Sequence, residues 1–212
     1  MAKKVFISFY NKDIEAKQKL LQLNNQHQIF DDGSVDTGDI SDDLTDETIR
    51  LKIRDEYLRD SSVTIVLFGN ETSRRKHVDW EIGSSMIDSI KSKKSGIIVI
   101  ILDSFISENK SSNLIPTEKI RKMVSPETLE SQWIKDWRVK ENYDFLGERL
   151  SKNIVSIFLP DKNKENETAI PIIPFSDILK NHQILSSAID YVYENRRSIT
   201  YDTSIPFRKN NS

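Results

Sequence analysis

Three uninterrupted apolar runs mark the first half of the chain: residues 5–9 (Val-Phe-Ile-Ser-Phe), residues 63–68 (Val-Thr-Ile-Val-Leu-Phe) and residues 96–102 (Gly-Ile-Ile-Val-Ile-Ile-Leu). They are rich in β-branched and aromatic side chains and do not alternate, the pattern of strands buried on both faces of a parallel sheet. Gln28-Ile29-Phe30 is a shorter strand candidate that ends in the turn signal Asp31-Asp32-Gly33. Helical spacing fills the gaps. Ile14, Leu20, Leu21 and Leu23 mark a helix over 13–23, Ile49, Ile53 and Tyr57 one over 45–58, and Val78, Ile82, Met86 and Ile90 one over 77–92. Strand and helix alternate from end to end of this region, which predicts an α/β, doubly wound parallel sheet. A fifth strand is expected within 104–140, a segment that contains Trp133 and Trp137, and Leu146, Leu150, Ile154 and Phe158 predict a helix over 142–158.

Composition changes at Pro160, since four of the six prolines lie there or beyond and residues 161–168 are polar. Residues 1–159 therefore read as one domain, and 160–212 as a C-terminal extension with one helix near 183–196. That helix carries Ile184, Leu185, Ile189 and Tyr193, an apolar set that needs a partner surface, either another molecule or the chain's own sheet. The 33 acidic and 31 basic side chains leave a formal charge of −2, so no global field favours nucleic acid or an anionic membrane. Cysteine is absent, which removes disulfides, thiolate metal sites and a cysteine nucleophile. The N-terminal apolar run is too short for a signal segment or a span, and a cytoplasmic location is expected.

Open α/β sheets bind ligands at the carboxyl ends of their strands. After the first strand stands Ser8-Phe9-Tyr10-Asn11, with no glycine-rich phosphate loop there or elsewhere in the chain. A phosphate-accepting receiver domain would need carboxylates after strands one and three, where Ser8-Phe9 and Gly69-Asn70 stand instead. His27, His77 and His182 have no metal-ligand spacing, and no GxSxG elbow anchors a serine nucleophile. From 31 to 47 eight acidic residues occur with no basic one, the composition of a solvated loop running into an acid-rich helix start. The segment Thr72-Ser73-Arg74-Arg75-Lys76-His77-Val78-Asp79-Trp80-Glu81-Ile82 is the most informative. Glu81 lies at the edge of the apolar arc of its helix, where a carboxylate either faces a ligand cleft or pairs with Arg74 or Arg75.

This combination resembles the TIR domains, and more narrowly the bacterial TIR-like family of Thoeris anti-phage systems. The resemblance rests on Lys4-Val5-Phe6-Ile7-Ser8-Phe9, on residues 62–69, on Glu71-Thr72-Ser73 and on Val78-Asp79-Trp80-Glu81-Ile82, with Asp136-Trp137 and Tyr143 as a weaker late match. It covers roughly residues 3–158 and implies a flavodoxin-like sheet of about five strands. It also implies cleavage of the nicotinamide–ribose bond of NAD, which is the substrate and not a resident cofactor, with no metal. The ADP-ribose product would be captured by water, by one of its own hydroxyls to give a cyclic nucleotide, or by another acceptor. Glu81 matches the family's essential glutamate. Ser8, Phe9 and Tyr10 would line the same cleft, with Phe9 either stacking on a ring of the substrate or sitting in the core. Asp32, Ser73 and Trp80 complete the expected substrate contacts, although Trp80 lies about 100° around the helix from Glu81, where packing is the other option. Asp32 begins the segment that corresponds to the loop over the family's cleft. The Arg-Asp-Xaa-Xaa-Pro-Gly pattern of receptor-type TIR loops is missing, and no proline precedes Pro116.

Three functions follow for comparison. The first is an NAD glycohydrolase or ADP-ribosyl cyclase of antiviral defence, started by a phage-derived trigger, whose product a separate effector protein senses. The second is a non-catalytic TIR module that works by self-association. The third is a nucleoside deoxyribosyltransferase-like enzyme, with a similar sheet and a glutamate that attacks the sugar of a free nucleoside.

Overall fold

Each long apolar run is a strand. The structure, a computed structural model, describes residues 2–34, 45–108, 147–150, 153 and 170–211. Strands β1 (Lys4–Ser8), β2 (Asp31–Asp32), β3 (Val63–Phe68), β4 (Gly96–Ile101) and β5 (Ile172–Pro174) form one parallel sheet in the order β2-β1-β3-β4-β5. Strands β3 and β4 are buried at every position, as expected of runs covered on both faces. The order reverses between β1 and β3, so the carboxyl ends of these two strands form the switch point, where folds of this class place their ligands.

Helix α1 (Ile14–His27) follows β1. It stops at Gln28, which adopts the left-handed conformation at φ 51° and donates its N–H to the Asn24 carbonyl. The buried Asn24 side chain then accepts from the N–H groups of Ile29 and Phe30 and donates to the Phe30 carbonyl. Those backbone groups are thereby withdrawn from strand pairing, and β2 starts at Asp31 rather than at Gln28. Helix α2 (Asp46–Lys52) is capped by Thr45, whose hydroxyl accepts from the Thr48 N–H, and continues into one wider turn over Ile53–Tyr57. Helix α3 (Lys76–Ser85) ends well before the expected 92. The Ser89 hydroxyl accepts from the Ser92 N–H and donates to its carbonyl, and Asp88 accepts from the Lys94 N–H. These local bonds outcompete the helix, so Ile90 is fully exposed and packs on nothing. Helix α4 (Asp103–Glu108) follows β4.

The fifth strand lies at 172–174, beyond the boundary expected at 160 and outside the expected window of 104–140. It is followed by helices α5 (Phe175–Lys180) and α6 (Gln183–Asn195), the second within one residue of the expected helix. Ile172, Ile173, Ile178, Leu185, Ile189 and Val192 are all buried in the same core cluster as β1, β3 and β4. Contact between α6 and β4 is so close that a Cβ on Gly96 would lie 2.4 Å from the Val192 carbonyl oxygen. The apolar set of α6 thus packs on the chain's own sheet. Expectations placed on Trp133, Asp136, Trp137 and Tyr143, and on most of 142–158, lie outside the described residues.

The terminal segment also grips α3. Asp79 on α3 accepts from Arg149 through both oxygens, at 2.9 and 3.1 Å, and from the Arg208 N–H at 2.9 Å. Arg149, 4% exposed, donates further to the carbonyls of Ile205 and Pro206. Trp80 Nε1 donates to the Arg208 carbonyl, and the Lys76 N–H to Asn211 Oδ1. The Tyr201 hydroxyl, whose burial holds it protonated far above its usual range, donates to the Ser95 carbonyl at 3.1 Å.

Two outcomes follow. The six buried aliphatics from 172 to 192 contribute about 1.5–3 kcal/mol each, together as much as the ~5–15 kcal/mol net stability of a domain. A chain truncated after Pro160 is therefore expected to lack a cooperative thermal transition; a soluble product that melts near wild type would disprove the shared core. Asp79→Ala leaves Arg149 buried without its carboxylate, and a loss of about 3–5 kcal/mol in urea unfolding is expected.

Candidate active site

Helix α3 leaves the switch point after β3 and packs across β1, β3 and β4. Val78, Trp80, Ile82, Gly83, Ser84 and Ser85 are buried, so the helix is surrounded on almost every side. Its register on the sheet is pinned by Ser85, whose hydroxyl bonds to Thr64 Oγ1 of β3 at 2.8 Å and to the Glu81 carbonyl at 2.8 Å. This mounting directs the Glu81 side chain to the end of β1. There the Ser8 hydroxyl donates to Glu81 Oε2 at 2.6 Å, a short charge-assisted bond across 73 residues of sequence.

Glu81 keeps partial solvent access but is set deep among protein atoms. Loss of hydration raises its pKa from the ordinary carboxylate range to about 7, opposed by the Ser8 hydrogen bond and by the positive charge of Lys17. Lys17, in the first turn of α1, is 5% exposed, with its Nζ 4.9 Å from the centre of the Phe9 ring. A carboxylate held between protonation states near neutral pH by burial and a nearby charge is a frequent mark of a functional site.

A second set of charges borders the same strand ends. Arg75 lies over the Tyr10 ring at 4.0 Å and pairs with Glu71, which Lys12 also reaches at 3.0 Å. Glu81 therefore does not pair with Arg75, one of the alternatives its position leaves open. Asp13 is tucked against the turn after β3, where a Cβ on Gly69 would meet its Oδ1 at 2.6 Å, and burial raises its pKa.

Of the expected site residues, the structure joins Glu81 to Ser8 and sets Phe9 and Tyr10 at the same strand end. Ser8 is fully buried, so it touches Glu81 rather than open space. Phe9 is 8% exposed and belongs to the core, with the Lys17 ammonium on its face. Trp80 turns the other way: it is buried with Phe6, Ile49, Ile53 and Leu58, where its ring fills the space between α2 and α3. Asp32 is exposed on β2 and caps the Ser34 N–H at 2.9 Å. Ser73 lines a cavity of about 310 Å³ with Thr72, Asp79, Gly147, Arg149 and Phe207, on a flank of α3 that does not include Glu81. That cavity is the seam between α3 and the terminal segment.

Lys17 has no place among the expected site residues. Its signal is the buried stripe of α1, Lys17-Leu20-Asn24, which is polar at two of three positions. Among the described residues no group of three or more His, Asp or Glu side chains has a metal-binding arrangement, and no helix is long and apolar enough to cross a membrane.

No curated protein matches the chain. Residues 6–107, from within β1 to near the end of α4, match the family described as Thoeris protein ThsB, TIR-like domain. Strands β2 to β4, the end of β1 with the switch point, Ser8, Lys17 and Glu81 all fall inside that match, so the segment that carries the candidate site is similar to the TIR-like domain of the Thoeris defence system.

Proposed function

We propose that this domain consumes NAD, breaking the nicotinamide–ribose bond with Glu81 as the catalytic carboxylate. The observation that carries the reading is the partly accessible Glu81, held by Ser8 at the switch point with a pKa raised to about 7. The similarity of residues 6–107 to the Thoeris TIR-like domains supports it, because domains of that family process NAD. In the reaction the bond between nicotinamide nitrogen and the anomeric carbon breaks heterolytically. Nicotinamide leaves neutral with the electron pair, and the ribosyl carbon is left with oxocarbenium character. Ionised Glu81 stabilises that positive charge, or holds a ribose hydroxyl beside it. Water or one of the product's own hydroxyls then adds to the carbon and releases a proton. Capture by an internal hydroxyl gives a cyclic nucleotide, the form suited to a signal that a separate effector protein senses after a phage-derived trigger.

The Ser8 hydroxyl fixes one carboxylate oxygen and leaves Oε1 for the sugar. Its role is positioning, since it is sealed from solvent. Tyr10, beside the same strand end and partly exposed, carries Arg75 on one ring face and offers the rest of its aromatic surface to a substrate ring.

Glu81→Gln keeps volume and removes charge. NAD turnover by the triggered protein, followed by chromatography of nicotinamide release, is expected to fall at least ~100-fold. Full activity in that variant would overturn the assignment, and turnover of free nucleosides in place of NAD would favour the deoxyribosyltransferase-like reading. Because the ionised form acts, wild-type kcat/KM should rise with pH through an inflection near 7.

Stability should respond in the opposite sense. A carboxyl whose folded pKa lies above its unfolded value binds more protons in the native state, so its contribution is full below the unfolded value near 4.5 and is lost as pH rises through about 7. Glu81→Gln should therefore melt higher than wild type at pH 8, with the advantage gone at pH 4.5. A variant that melts lower at pH 8 would show that the charge is not buried at a cost.

A further inference from the structure

Lys17 is an anomaly in charge accounting. It is 5% exposed, yet among the described residues it has neither a hydrogen bond nor an ion pair. Burying an ammonium without an acceptor is costly, and long cationic side chains normally carry the head to water or to a carboxylate. Three acids are close in sequence or space, and Glu15, two positions earlier, is exposed to solvent. Asp13, one turn earlier on the chain, is turned to Thr72 and the end of β3. Glu81 is near enough to interact electrostatically but beyond ion-pair distance, with its Oε2 already taken by Ser8.

The position matters as much as the lack of a partner among the described residues. Lys17 lies in the first turn of the helix after β1, at the switch point, where α/β folds receive anionic groups against helix N-termini. We propose that the Lys17 ammonium receives a phosphate group of the dinucleotide substrate. This rests on the NAD reading above, and two electrostatic arguments select phosphate over a sugar hydroxyl. Ionised Glu81 repels the pyrophosphate of NAD, and a cation beside it removes that penalty. A bare ammonium near the ribosyl carbon would oppose the developing positive charge, whereas an ammonium neutralised by phosphate does not. The Phe9 ring beneath the ammonium holds it by cation–π attraction without using any of its three N–H donors, which remain for the ligand.

The test uses ADP-ribose, which carries the phosphates but has no bond to nicotinamide to break, titrated calorimetrically into the full chain. Lys17→Met keeps the length of the stem, and Lys17→Arg keeps the charge. Lys17→Met should weaken ADP-ribose binding about 10- to 100-fold, the loss expected for a charge-assisted hydrogen bond, while Lys17→Arg stays within about 3-fold of wild type. The melting temperature of Lys17→Met should equal or exceed that of wild type, because an unpaired buried charge has been removed. A merely structural lysine would lower it. Unchanged ADP-ribose affinity in Lys17→Met, or a loss that accompanies a lowered melting temperature and is not restored by Lys17→Arg, would overturn the role of Lys17 alone. Wild-type protein that binds neither ADP-ribose nor NAD would overturn the NAD reading on which it rests.

Discussion

Helix α3 has almost no free side, and that constraint governs the rest of the structure. The sheet takes Val78 and Ile82, the α2 segment takes Trp80, and the terminal segment takes Asp79. Glu81 is left at the one edge where the helix meets the end of β1. A carboxylate there cannot swing outward to full hydration, because Ser85 ties the backbone at Glu81 to β3 and Ser8 holds its tip. Desolvation follows from this mounting, and the raised pKa follows from desolvation. The terminal segment is thus part of the site's support although it lies beyond the matched family segment. Its Arg208 backbone, together with Arg149 from earlier in the chain, fixes the helix turn next to the candidate carboxylate.

Two acids on this helix, two positions apart, show how environment assigns roles. Asp79 is satisfied by a bidentate guanidinium and a backbone N–H, a structural arrangement with nothing left to offer a ligand. Among the described residues Glu81 has one hydroxyl on Oε2, a cation out of contact and no partner on Oε1. Of neighbouring carboxylates, the under-satisfied and perturbed one is the candidate for chemistry, while the saturated one serves the fold.

Long, fully buried strands were legible in the sequence because burial on both faces demands unbroken apolar runs, and β3 matches its run to the residue. The edge position of Glu81 on α3 was legible through the helical arc. The short edge strands were not. Strand β2 is two exposed aspartates, and β5 is three residues ending in a proline that an edge strand tolerates, so neither carries a period. The polar composition after Pro160 suggested an appendage, yet Ile172, Ile173 and the buried face of α6 complete the sheet. Long-range closure of this kind leaves no local mark. Trp80 was ambiguous for a geometric reason: one step along a helix is a quarter turn around it, and only the tertiary packing decides which side faces the core. Lys17 escaped because a charged residue on a helix reads as solvent-facing unless the partners of its stripe are counted.

The same burial that makes ionised Glu81 costly in the free protein would make it effective in the proposed reaction. In a poorly hydrated site the attraction between a carboxylate and a developing ribosyl cation is several times stronger than in water. The carboxylate's desolvation penalty is present before substrate arrives, and the new positive charge offsets it only as the bond to nicotinamide breaks. That is stabilisation of the transition state over the ground state, the condition for a higher rate rather than merely tighter binding. Ser8 and Lys17 set the limit of this device. Without their stabilisation burial would raise the pKa further and leave the group protonated at neutral pH; with a full ion pair the charge would be spent before the sugar needed it. A hydrogen bond on one oxygen and a cation held at a distance keep Glu81 between those extremes.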